Sequence, residues 1–485
     1  MSERREAPLP LRQDRRVSSR RACLAARLGL SASVLLACAP IEPVQPPGFA
    51  DAIALPAPVD LDPDPRVIEI DLVARETSLE LVPAGPTPMY GFDGSVPGPL
   101  IEANVGDILV VHFRNELPEP TTVHWHGIRL PNAMDGVPEH TQPAVPPGGS
   151  FEYRFELPDE GLYWYHPHVR SAPQVAAGLY GAIVVRAPDE PVLDEAVLVL
   201  SDAAVGEDGS LLPPDTGGDL ATLFGREGNV LLVNGRVRPS IRARLGVPMR
   251  LRVVNAAISR YFQLALGSVP FTVIGGEAGL FATQREVNRP VLTPGQRLDL
   301  VIVPRGAPGQ ILTLRWIPYD RGYGSTEFRD PQDLLTIVLE RGPDSIVPIP
   351  PIPSRPFVPI DGSVASSIEV ELTRNDRDGG LALGFDGIPD WEATPYPARL
   401  GEVQRWTFRN TLEWAHPVHL HGFFFQPLDA AGRPLGYWAD TIDVPVDGEA
   451  SFLVRWDERP GMWMMHCHIL DHADAGMMGM VELSR

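Results

Sequence analysis

An all-β chain of three consecutive Greek-key β-sandwich domains is predicted on three observations. A ten-residue strand pattern running from Gly to Asn occurs three times along the sequence. The 53 prolines and 45 glycines cut it into short segments suited to turns and strand edges, and helical periodicity is scarce. Ten of the twelve histidines fall in four short motifs, matched between the first and last thirds of the chain.

Taken in chain order, residues 1–38 read as an export signal rather than as fold. Eight arginines from Arg4 to Arg27 precede a short apolar run, Leu28 to Ala37, too brief to span a bilayer. Ser19-Arg20-Arg21 resembles a twin-arginine signal. Leu35-Leu36-Ala37-Cys38 resembles a lipobox with Cys38 as the lipidated residue, while Ala37-Cys38-Ala39 fits plain cleavage, so both remain open. The expected location is the periplasm or cell envelope, anchored or not, with full secretion as the alternative. Residues 39–65 are proline-rich and read as an extended tether.

The repeats then define the domains. Gly106 to Asn115, Gly246 to Asn255 and Gly401 to Asn410 each read as a turn glycine followed by an alternating strand. They place domain 1 at 66–187, domain 2 at 188–345 and domain 3 at 366–485. A proline-dense linker, 346–365, separates the last two.

Composition excludes some partners. The net charge of −21 argues against nucleic acid, which calls for a basic face. All 41 basic residues are arginine, for which no physical need is visible. Of the three cysteines, Cys23 and Cys38 belong to the leader, so Cys467 is the only thiol inside the fold and no internal disulfide forms. A lone thiol in an exported protein calls for a bound metal.

The four histidine motifs supply that chemistry. They are His124-Trp125-His126-Gly127, His166-Pro167-His168, His416-Pro417-Val418-His419-Leu420-His421-Gly422, and His466-Cys467-His468 followed by His472 and Met477. An offset of 295 residues carries His124 and His126 onto His419 and His421; an offset of 300 carries His166 and His168 onto His466 and His468. One H-x-H pair is ordinarily a satisfied core or surface histidine. Four in matched positions are not, because eight imidazoles gathered without metal would waste hydrogen bonds when buried. Domain 2 places Leu264 where His124 and His419 stand. His112 and His140 are assigned to strand surface and loop.

Only domain 3 completes a thiolate site. Against Cys467, His472 and His416, domain 1 has Pro167, Ala172 and Thr121. Two histidines, one cysteine and a weak thioether are the donor set of a blue-copper centre. Zinc is the metal alternative, but C-x2-C pairs are absent and Met477 would be superfluous. In a strand, Cys467 faces opposite to His466 and His468, which wires one metal site to another through the backbone.

The order and spacing of all four motifs resemble the multicopper oxidases, laccase-like proteins of three cupredoxin-like domains, over residues 66–485. The resemblance implies four copper ions. Type 1 copper takes His416, Cys467, His472 and axial Met477, which suggests a lower-potential site. Type 2 takes His124 and His419. The type 3 pair takes His126, His166 and His468 on one ion and His168, His421 and His466 on the other. Electrons enter at type 1, pass through Cys467 to His466 and His468, and reduce O2 to water.

Asp135, eleven residues after His124, stands where the family carries a proton-relay acid. Many bacterial members have a glutamate directly after the last type 1 histidine; here it is Ala473, with Asp471 and Asp474 as candidate substitutes. Phenols and aromatic amines are the leading donors. The acidic surface also favours metal ions such as Cu(I), although no methionine lies between Met249 and Met462 to build a thioether-rich insertion. The segment Pro318 to Gly324 reads either as a donor-pocket rim or as a turn. A non-enzymatic scaffold would have lost ligands that this chain keeps, and a copper nitrite reductase would lack the His-Cys-His relay.

Overall fold

The computed structural model describes residues 53–485 apart from 192, 323–325, 327–328, 354 and 378–379. The export-signal reading, Cys38, most of the tether and part of the Pro318–Gly324 segment fall outside the described residues. No described helix is long and apolar enough to cross a membrane.

The described strands form six sheets, two in each third of the fold. The strands from Val67 to Arg186 form two four-stranded sheets, those from Asp194 to Glu340 sheets of six and five, and those from Ser366 to Ser484 two of five. The three Gly-to-Asn repeats are equivalent central strands. Ile108–Asn115, Met249–Asn255 and Val403–Asn410 each pair parallel with the preceding long strand on one side. On the other side each pairs antiparallel with a later strand.

The repeat's end residues have a physical reason. Gly106, Gly246 and Gly401 turn the chain at φ +84, +70 and +79, in the left-handed region that favours glycine. Each terminal asparagine closes the bend that follows. Asn115, Asn255 and Asn410 accept through Oδ1 from the amide two residues on, at 2.9, 3.0 and 2.9 Å. Each Nδ2 donates to a carbonyl four or five residues on and to a second one distant in sequence. Only an amide side chain offers both functions at that reach.

One apolar core runs through the first and last sandwiches, with Trp125, Tyr153, Trp406 and Trp463 among its largest members. A second core fills the middle sandwich around Phe262, Leu264 and Trp316. Leu264 is fully buried there, so the middle domain repeats the fold but turns the metal position into packing.

Two segments read as connectors are docked. Residues 53–65 are extended but held down: the Ile53 carbonyl accepts from Asn234 Nδ2 at 2.7 Å and the Pro56 carbonyl from the Leu100 amide at 2.8 Å. In 346–365, Arg355 pairs with Glu160 at 2.7 Å and with Asp189 at 2.5 Å. Among the described residues the α-helices are short: α1 (Ser171–Ala176), α2 (Gly218–Phe224) and α3 (Leu470–Asp474).

Candidate metal centres

Strand alternation sets the histidines. In His124–His126, the middle residue Trp125 turns into the core against Tyr153, Phe155 and Tyr165, leaving both imidazoles on the opposite face. His124 sits opposite His166 on the neighbouring strand. In the last domain His419 sits opposite His466, and Val418 opposite Cys467. The thiol therefore faces away from its two histidine neighbours.

The two domains bring these faces together. His124 stacks on His421 with ring centroids 3.8 Å apart, and His126 stacks on His419 at 3.7 Å. Since His124 corresponds to His419 and His126 to His421, the two stacks are related by a pseudo-two-fold axis. His168, His421 and His466 lie mutually 4.8–5.2 Å apart, and His126, His166 and His468 5.0–5.8 Å. All eight are buried, His168 being the most exposed at 7%.

Hydrogen bonds fix the ring that each histidine presents. Nδ1–H donates to the Asp135 carbonyl from His124 (2.8 Å), to Asp440 from His419 (2.9 Å), to Pro167 from His166 (3.1 Å) and to Cys467 from His466 (2.9 Å). Asp135 Oδ2 accepts from His421 Nδ1 at 2.8 Å, and Asp440 Oδ1 from His126 Nε2 at 3.3 Å. In every case the remaining nitrogen is buried with no hydrogen-bond partner: Nε2 of His124, His166, His419, His421 and His466, and Nδ1 of His126. Nε2 of His168 and of His468 is equally unpartnered. Burial, followed by repulsion from neighbouring imidazoles, holds His126, His166, His168, His421 and His468 well below the usual histidine range, and burial brings His466 to about 3. Neutral buried rings that converge with unpartnered nitrogens are a donor set able to hold metal ions.

The second site lies on the far face of the Cys467 strand. Cys467 Sγ is 3.6 Å from His416 Nδ1 and 3.7 Å from His472 Nδ1, and the two nitrogens are 3.2 Å apart. The tautomer of His472 is fixed by the middle domain: its Nε2–H donates to the Leu223 carbonyl at 3.0 Å. Met477 is buried, and its backbone bonds the Cys467 amide and the His472 carbonyl. Burial pushes the Cys467 thiol far up, so ionising it requires a cation at the site. Among the described residues, five mutually close groups could hold a metal ion: His124/His126/His166, His124/His419/His421, His126/His419/Asp440, His168/His421/His466 and His416/Cys467/His472.

Sequence reasoning placed Asp135 here but missed three residues. Asp440 is buried between His126 and His419, and Arg297 from the middle domain grips its carboxylate at 2.8 and 2.5 Å. Glu277, also from the middle domain, accepts from the Asp440 amide at 2.8 Å and the Thr441 amide at 3.1 Å. Burial raises Asp440, but Arg297 outweighs it and keeps Asp440 ionised. Burial, then the Asp440 charge, pushes Glu277 up toward its neutral form. Asp440 stands 21 residues after His419, against 11 for Asp135 after His124, so a longer loop hid it from the repeat.

Asp471 and Asp474, proposed to replace the missing glutamate, are engaged elsewhere. Asp471 pairs with Arg226, and Asp474 accepts from the Ser171 and Ala172 amides at 3.0 and 2.9 Å. His112 is held on its strand surface by Glu69 at 2.7 Å, and His140 is exposed. Of the Pro318–Gly324 segment, Tyr319 stacks on Tyr261 and Arg321 is buried beside the thiolate site.

A buried Cys/His site joined by adjacent residues to an eight-imidazole cluster defines a copper-dependent electron-transfer protein. Comparison makes it specific. Multicopper oxidase family models match residues 75–190 and 366–484. The chain is 31% identical to the multicopper oxidase MmcO of Mycobacterium tuberculosis, covering 96% of each. It is 29% identical to laccase-1 of Botryotinia fuckeliana over 80% of this chain and 77% of that one. Among solved structures, a Campylobacter jejuni multicopper oxidase described as a metallo-oxidase superposes with TM-score 0.79 at 28% identity, covering 90% of this chain and 95% of that one. The chain belongs to the multicopper oxidase family. It is a copper oxidoreductase with O2 as acceptor, and its cofactor is four coppers of types 1, 2 and 3.

Proposed function

We propose that this protein is laccase-like, drawing single electrons from phenolic or aromatic amine donors and passing four to each O2 to give two waters. The lining of the His416–Cys467–His472 trio carries the donor reading. Trp414 lies 6.0 and 6.3 Å from the rings of His416 and His472, with Phe224 edge-on to it at 5.5 Å. Tyr261 stacks on Tyr319 at 5.7 Å. Asp443 accepts from the Tyr261 hydroxyl at 2.7 Å. Arg321 adds positive charge that lowers both His416 and His472 after burial does. Aromatic walls suit flat organic donors, whereas a metal-ion donor wants thioether or carboxylate ligands and is repelled by a guanidinium.

The ligand assignment offered is type 1 at His416, Cys467, His472 and Met477, and type 2 at His124 and His419. Type 3 falls at His126, His166 and His468 and at His168, His421 and His466. The unpartnered nitrogens and the thiol of the donor set support it. Copper held by these residues supplies a one-electron acceptor at the first site and a four-electron store for O2 at the second. Cys467 is bonded through the backbone to both His466 and His468, so the covalent path between sites is short. Asp135 Oδ2 accepts from His421 Nδ1–H at 2.8 Å, and its Oδ1 has no hydrogen-bond partner. Arg297 keeps Asp440 anionic, and Glu277 offers a neutral carboxyl behind it. Burial excludes bulk water from the cluster.

We also read the chain as exported to the periplasm or envelope, or secreted, on its arginine-rich leader, with lipidation at Cys38 and plain cleavage at Ala37-Cys38-Ala39 as the two routes to the mature N-terminus. Fractionation with mass analysis of the mature N-terminus tests this. The metal-ion alternative is favoured by the charge of −21, which draws cations. Oxygen uptake with phenols, aromatic amines, Cu(I), Fe(II) and Mn(II) on one preparation decides between them. Phenols or aromatic amines are expected to be fastest; a metal ion outpacing them replaces the reading with a metallo-oxidase.

A further inference from the structure

Backbone of the middle domain closes the Nε2 edge of His472. His472 is fully buried, and its Nε2–H is taken by the Leu223 carbonyl at the end of α2. The turn that follows is fastened to the ligand loop itself. Arg226 donates its amide to Asp471 Oδ2 at 2.7 Å and Nε to Oδ1 at 2.8 Å, and Nη2 reaches the same oxygen. Arg321 Nη2 donates to the Phe224 carbonyl at 2.6 Å. Gly225 sits at φ +73 so close to the loop that a Cβ would lie 2.6 Å from Ile469 Cγ2 and 2.1 Å from Ser259 Oγ. At the other end of α2, Gly217 and Gly218 both have positive φ, and Leu220 is 64% exposed.

We propose that the segment Leu223–Arg226 is the specificity-determining cover of the donor site, latched by the Arg226–Asp471 pair, and that it keeps bulky donors off His472. It rests on the reading of organic donors above. Compact donors transfer over the aromatic seam with the cover closed. Bulky donors depend on the fraction of molecules in which the latch is open. Asp471 sits one residue before the ligand His472, so the same loop that holds the metal holds the cover.

The test is anaerobic stopped-flow bleaching of the blue band in the copper-loaded protein. It compares Arg226→Met, Arg226→Lys and wild type, each with a compact and a bulky phenol and with a compact and a bulky metal complex. Amide hydrogen exchange of 215–226 reports the latch independently of electron transfer. Arg226→Met is expected to exchange faster over 215–226, keep its blue band, and raise the bulky-to-compact rate ratio about tenfold, as a tenfold larger open fraction would. Arg226→Lys, which restores a cation opposite Asp471, should fall between the two. Faster exchange with an unchanged ratio overturns the cover; so does unchanged exchange in both variants. If phenols bleach no form while the metal complexes do, the donor reading fails, and the metal-complex ratio still decides the cover.

Discussion

Asp135 and Asp440 are counterparts across the pseudo-two-fold axis of the histidine cluster. Each carbonyl orients the first histidine of an H-x-H pair in its own domain, and each carboxylate reaches the second histidine of the other domain's pair. Their surroundings differ. Arg297 grips Asp440, whereas Asp135 keeps one oxygen without a hydrogen-bond partner.

Asp440→Asn should therefore be the damaging change for stability. It strands a buried guanidinium, a class of change that costs about 3–5 kcal/mol. Asp135→Asn strands no cation, and should leave the melting temperature near wild type while slowing O2 reduction. Calorimetry alongside oxygen uptake separates the two.

Glu277→Gln should stabilise the protein at neutral and alkaline pH. The folded state raises the Glu277 pKa through burial and the Asp440 charge, so it resists ionisation that the unfolded chain undergoes freely. Stability is then lost as pH rises from the ordinary glutamate value toward the raised one. Gln keeps an oxygen for the two amides and removes the titration. Wild type and variant should melt together at pH 4 and diverge by pH 8.

Glu227 should show the opposite sign. Burial raises it, but Arg260, Arg321 and Arg329 outweigh burial and bring it to about 2, from an ordinary 4.5. Its stabilisation is present above the unfolded value and lost as pH falls toward 2. Glu227→Gln should cost about 3 kcal/mol at pH 7, and the deficit should shrink in denaturant melts repeated down the acid limb.

Cys467→Ser should abolish the blue band and oxygen uptake together while the fold and the histidine cluster survive. A serine hydroxyl fills the same buried space, but its oxygen is too weak an acid and too hard a donor to replace the thiolate. Absorption, EPR and copper content of the variant check this; a retained blue band would refute Cys467 as the thiolate ligand.

What was legible in the sequence was local. Alternation along a strand put His124 with His126 and opposed Cys467 to His466 and His468, and the Gly-to-Asn repeat gave the central strands. Asp440 was missed because its loop is longer than Asp135's, and the partners of Asp471 and Asp474, Arg226 and helix α1, come from other domains and could not be read locally.

The sequence by itself determined the β-sandwich architecture, the donor side chains of the two clusters and the opposed faces of Cys467 and its flanking histidines, because side-chain alternation and covalent adjacency hold wherever a strand forms. Only the tertiary structure decided the cross-domain stacks, the Arg297–Asp440–Glu277 constellation and the Leu223 carbonyl over His472. Those depend on loop lengths and on backbone groups that every residue carries, so no residue type announces them.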